Sequence, residues 1–198
     1  MSAAATSLAE IPQAWTLPYR GKVGMACLII AESAIFTIFV VAYLFYIGKS
    51  LTGPTPQQVL ETPIFFTICL LSSSLTVHFA GRALERGKQR VFLILWSLTI
   101  LLGGLFLYGT GQEWHRLIYE HGLTISTNLF GTTYYSLVGL HAFHVTAGLV
   151  MLSIVLIFAL AGRVGADQFR RVDVLALYWH FVDAVWVVVF TVVYILGR

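Results

Sequence analysis

Long apolar runs alternate with short polar clusters along this chain. Five stretches, roughly 23–48, 63–81, 91–112, 133–161 and 174–196, are long enough to cross a membrane as helices, since about 20 mostly apolar residues span the hydrocarbon core. Inside each stretch the apolar residues are continuous rather than alternating. Barrel strands alternate inward and outward positions, so the pattern points to helices, whose backbone groups bond within the segment. Gly53-Pro54-Thr55-Pro56 breaks the first connection, Pro63 suits the opening turn of the second span, and Gly162 and Gly165 follow the fourth. The expected fold class is an all-α membrane protein, a bundle of five transmembrane helices. Residues 1–21 would form a cytoplasmic tail and 22–198 the transmembrane domain.

Composition agrees. Hydrophobic residues make up 58% of the 198 positions and charged residues 11%, where soluble domains carry about 25% charge. An aromatic content of 14% excludes a solvated coil. Of the 21 Asp, Glu, Lys and Arg residues, only Glu32 and Asp183 fall inside the five spans. With five crossings, nine of the twelve basic residues share one side with the N-terminus. The excess of basic residues in cytoplasmic loops then predicts N-terminus in and C-terminus out. Beside membrane spans such clusters set topology and meet anionic lipid, so no nucleic-acid partner is expected. Residues 1–21 lack a continuous apolar core and hold Glu10, Pro12 and Pro18, which does not suit a cleavable signal peptide. Cys27 and Cys69 sit in apolar runs and read as packing residues.

The polar groups inside the spans are the candidate chemistry. An ionisable side chain at mid-membrane is costly, by about 2.5 kcal/mol or more when charged. Glu32 therefore needs a partner, a water or its neutral form. It suits either a proton-exchanging role or a hydrogen bond to a neighbouring helix. In the fifth span His180 and Asp183 are three apart and so are surface neighbours on a helix. They read as a structural pair, with a proton relay or outer metal shell as the alternative. His141 and His144 are again three apart, framed by Gly139 and Gly148, and His78 lies near the end of the second span. Four histidines on three spans admit a haem reading against the plainer one of interhelical hydrogen bonding. Gly103, Gly104 and Ser72-Ser73-Ser74 read as small residues that let helices approach. Glu113, His115, Glu120 and His121, in the connection 113–132, read as solvated or partner-facing loop residues rather than a metal cluster.

The stretch Tyr178-Trp179-His180-Phe181-Val182-Asp183-Ala184-Val185-Trp186 closely resembles the signature of subunit III of haem-copper respiratory oxidases. Gly139-Leu140-His141-Ala142-Phe143-His144-Val145-Thr146-Ala147-Gly148 is similar to a second pattern of that family. Gly24-Met25, followed by Glu32-Ser33, resembles its first shared helix, and Gln112-Glu113-Trp114 resembles an acidic-aromatic step at the outer end of a later one. The resemblance covers about residues 20–198, in the short five-helix bacterial form. It implies a bundle packed against the catalytic subunit I, with subunit II and other respiratory-complex subunits as further partners. It implies no haem, copper or other metal on this chain, no catalytic centre of its own, and bound phospholipid. Glu32 matches the family's buried, carbodiimide-reactive glutamate. His141, His144, His180, Asp183 and Glu113 match positions that resemble a structural polar network. Arg163, Trp179 and Trp186 are the lipid-binding candidates.

The expected function is that of a non-catalytic subunit III of a proton-pumping terminal oxidase, in a bacterial plasma membrane. It would stabilise subunit I, hold lipid and sustain proton uptake. A quinol-oxidase or nitric-oxide-reductase-associated homologue is the alternative. A stand-alone b-type cytochrome or a small proton channel fits less well.

Overall fold

The structure is a computed structural model that describes residues 19–50 and 53–197. The expected tail, residues 1–21, lies almost wholly outside the described residues. Helix α1 spans Arg20–Tyr46, the short α2 Pro56–Val59, α3 Ile64–Glu85, α4 Gln89–Tyr119, α5 Leu129–Leu160 and α6 Phe169–Phe190. A 3₁₀ turn, Ala166–Gln168, leads into α6, and a π-helical turn, Thr191–Leu196, continues it. Five of these segments are long and apolar enough to cross a membrane, and no strand occurs among the described residues.

The connections at the basic end are tight. After α3, Gly87 takes φ +68° while Lys88 N–H reaches back to Ala83 O and Gly87 N–H to Leu84 O. Gly162 closes α5 in the same way at φ +71°, with Arg163 N–H bonded to Phe158 O. Both are glycine-terminated caps that satisfy orphan carbonyls. At the other end, Asn128 Oδ1 accepts from Gly131 N–H at 2.8 Å and starts α5.

Helix α4 is longer than the hydropathy pattern suggests. It continues through Glu113–Tyr119, a stretch expected in the loop. Its 31 residues rise about 46 Å, well beyond the hydrocarbon core. The extension holds because Leu117 is buried and Glu113 finds a partner on the π-helical turn.

Helix α6 packs against α1, α3 and α5, while α4 joins α3 to α5. Trp179 is the wedge of this arrangement. It is fully buried, and a Cβ added at Gly103 of α4 or Gly148 of α5 would lie 2.9 Å or 2.7 Å from its ring. The two glycines therefore open a slot that the indole fills. Side-chain hydrogen bonds also join helices: the Thr76 and Thr99 hydroxyls meet at 2.7 Å, and Trp96 Nε1–H donates to Leu152 O at 2.9 Å.

Candidate functional site

Two residues expected separately come together. Glu32 of α1 and His144 of α5 meet at 3.2 Å, between Oε2 and Nε2. The other ring nitrogen, Nδ1, lies 2.8 Å from Leu140 O. A carbonyl only accepts, so Nδ1 carries a proton in this contact. As a hydrogen bond, the contact of Nε2 with the carboxyl needs a proton on one of the two. Phe36, one turn after Glu32, covers the imidazole with ring centroids 5.0 Å apart. Tyr178 O–H donates to His144 O at 3.2 Å and ties α6 to the same point.

His141 does something different from His144, although both lie on α5. It is fully buried, stacked on Trp186 at 5.0 Å and 27°, with Phe106 edge-on at 5.7 Å. Among the described residues neither of its ring nitrogens has a hydrogen-bond partner. Its setting is an aromatic box.

The lipid role expected for Trp179 and Trp186 is corrected. Both side chains are buried inside the bundle. Trp179 Nε1–H donates to Ser73 Oγ at 2.8 Å and Trp186 Nε1–H to Thr67 Oγ1 at 3.2 Å. A ring packed between helices, with its polar handle already bonded, has no face left for lipid. Arg163 stands apart from them. With Arg171 it borders a cleft of about 390 Å³ whose walls are Val155, Phe158, Val172 and Leu175.

The His180–Asp183 pair expected from spacing does not form. His180 Nδ1 contacts Ser74 Oγ at 2.7 Å instead. Asp183 is buried, and neither of its oxygens is hydrogen-bonded among the described residues. Ser73 and Ser74, read from the sequence only as small residues, join Thr67 in the polar contacts of α3 to α6. Neighbouring serines on one helix can each meet a different side chain of the next, and nothing in a single helix's pattern announces that.

The cluster of Glu113, His115, Glu120 and His121 is dispersed. Glu113 turns inward and accepts from Tyr194 O–H at 2.8 Å. His115 lies against Tyr119, with centroids 4.5 Å apart. The π-helical turn places Tyr194 for this contact, since the wider turn shifts which side chains face α4. Arg116 pairs with Glu61 nearby. Among the described residues no three His, Cys, Asp or Glu side chains group as metal ligands.

A five-span helical bundle with polar contacts between its helices defines the class, a multi-pass membrane protein. The model of the family described as cytochrome c oxidase subunit III matches residues 17–198. The chain is 33% identical over 189 residues to cytochrome c oxidase subunit 3 of Alkalihalophilus pseudofirmus, covering 94% of this chain and 92% of the relative. It is 39% identical over 178 residues to the Synechocystis protein of the same name, covering 87% and 74%. It is also 31% identical over 171 residues to cytochrome bo(3) ubiquinol oxidase subunit 3 of Pseudomonas aeruginosa, covering 85% and 81%. The chain belongs to the cytochrome c oxidase subunit III family.

Proposed function

We propose that this chain is the non-catalytic subunit III of a proton-pumping terminal oxidase, docked on subunit I beside subunit II in a bacterial plasma membrane. Its task is to keep the catalytic subunit working over many turnovers, by stabilising subunit I, holding phospholipid against it and sustaining proton uptake. Haem and copper belong to the partner subunits. The observation that carries this reading is the Glu32–His144 contact at 3.2 Å, in a helix otherwise exposed along most of its length. Such a bond inside the membrane is a costly device for a lone bundle and a useful one where a surface must stay in register with a neighbour.

Lipid fits the Arg163–Arg171 cleft. Two guanidiniums would take a phosphate in the forked geometry that Arg favours, and the apolar walls would take the first part of an acyl chain. The basic end faces the cytoplasm by the distribution of positive charge, so this lipid would sit on the side of proton uptake.

The test is oxygen consumption by the complex with and without this chain. The reading expects a complex that starts normally and inactivates during turnover, or one that fails to assemble. Unchanged rate and lifetime would overturn it. The Pseudomonas relative, named as a ubiquinol oxidase subunit, supports a second reading in which the electron donor is a quinol. Comparing cytochrome c and quinol as donors to the purified complex separates the two.

A further inference from the structure

A second polar system lies on the α3 side of α6, and the proposed role makes no use of it. Its order follows from helix geometry. Along α3, Glu85, Arg82, His78 and Ser74 step inward from the basic end at three- and four-residue spacing, on one face. Along α6, Asp173, His180 and Asp183 step the same way. A cleft of about 290 Å³ opens between these helices, with Lys22 of α1 at its edge. Charge at the mouth is balanced, with Lys22 Nζ 2.6 Å from Asp173 Oδ2 and both Arg82 and Glu85 on the wall.

His180 lines this cleft, and the His78 ring lies 6.4 Å from it between centroids. Behind it, His180 Nδ1 contacts Ser74 Oγ at 2.7 Å. Asp183 follows His180 by three residues, one turn further along α6. Asp183 is 3% exposed, and neither oxygen makes a hydrogen bond among the described residues. The ionisable groups on the other helices around α6 are engaged elsewhere. Glu32 and His144 hold each other, His141 stacks on Trp186, and Glu113 accepts from Tyr194.

A buried carboxyl with no bonded partner needs an explanation. Burying it unpaired is expensive in the ionised form, and packing alone would be served as well by an apolar side chain. What an aspartate adds here is the ability to take up and release a proton. A histidine with one ring nitrogen on a hydroxyl, in a ring that lines an open cleft, is suited to hand a proton across.

We infer that Asp183 is a proton-exchanging site served from the basic end of the bundle through His180 and Ser74. In the loading step His180 Nε2 gains a proton from water in the cleft while its Nδ1 proton passes to Ser74 Oγ. The hydroxyl proton of Ser74 passes to a carboxylate oxygen of Asp183. One N–H forms as another breaks, one O–H on Ser74 replaces another, and one O–H forms on Asp183. The net change is one proton moved from the cleft to the carboxylate, and the reverse sequence returns it. The ligand of this site is the proton itself, delivered by water.

Infrared spectra of the resting, purified oxidase complex, transferred from H₂O to D₂O in mildly acidic buffer, test the inference. A carboxylic C=O band present in the parent complex and absent in Asp183→Asn identifies the group. The inference expects that band to shift promptly on exchange, and to shift about tenfold more slowly or worse in Ser74→Ala. No such band, a band that does not exchange, or equal exchange in Ser74→Ala would overturn it. If Asp183→Asn does not assemble, Ser74→Ala carries the test alone, since it removes a single oxygen. One slowed carboxylic band then supports the relay, and no slowed band overturns it. The measurement needs no turnover, so its failure leaves the proposed turnover role standing, and failure of that role leaves this exchange intact.

Discussion

Helices α1 and α6 each carry one carboxyl inside the membrane span, and they treat it in opposite ways. In its most apolar window α1 has 6% of its residues buried, while α6 has 50%. The edge helix gives Glu32 a specific partner, His144 of α5. The central helix leaves Asp183 without a bonded partner among the described residues, while the Ser74 hydroxyl meets His180. The difference lies in what holds each helix. Helix α6 is locked by Trp179 in its glycine slot and by Trp186 against His141, so packing secures its position and its acid is free for another role. Helix α1 has little packing to rely on, and a polar bond contributes much of its orientation.

That contrast can be broken at several points. The largest effect is expected at the wedge. Trp179→Ala should lower stability by about 3–5 kcal/mol, read as a drop in the temperature at which the detergent-solubilised complex dissociates. His144→Ala should come next, at about 1–3 kcal/mol, because it strands a carboxyl in the membrane. The Glu32→Ala, His144→Ala double variant should recover part of that loss, and strictly additive losses would show that the two side chains do not couple. Tyr194→Phe should cost about 1 kcal/mol, the worth of one hydrogen bond to Glu113, and should loosen the end of α4 in hydrogen exchange. Lys22→Ala should be the mildest, at about 0.5 kcal/mol or less, because its ion pair with Asp173 is largely exposed. A Lys22 effect rivalling that of His144 would mean that α1 is held at its basic end rather than by the buried pair.

Much of this was legible in the chain itself. The five spans follow from uninterrupted apolar runs, and Glu32 and Asp183 stand out because charge is otherwise absent there. What could not be read is which way each side chain turns. Where both lipid and core are apolar, a membrane helix is apolar all round, and its buried face leaves little trace. Hence Trp179 and Trp186 look like lipid contacts in the sequence and prove to be core. Hence also the spacing of His180 and Asp183 suggests a pair, while the hydroxyl of Ser74, on another helix, takes the histidine. The partner of Glu32 lies 112 positions away, beyond any local pattern. Glu113 sits where hydropathy ends, yet the helix does not, because Tyr194 is there to receive it.

The most direct test purifies the complex through a tag on this chain and follows oxygen consumption over time, with the native chain and with Glu32→Ala. The account predicts that a haem- and copper-bearing partner comes with the chain, and that the variant starts at the same rate but loses activity sooner. A chain recovered without such a partner, or a variant whose activity lasts as long as the native one, would contradict it.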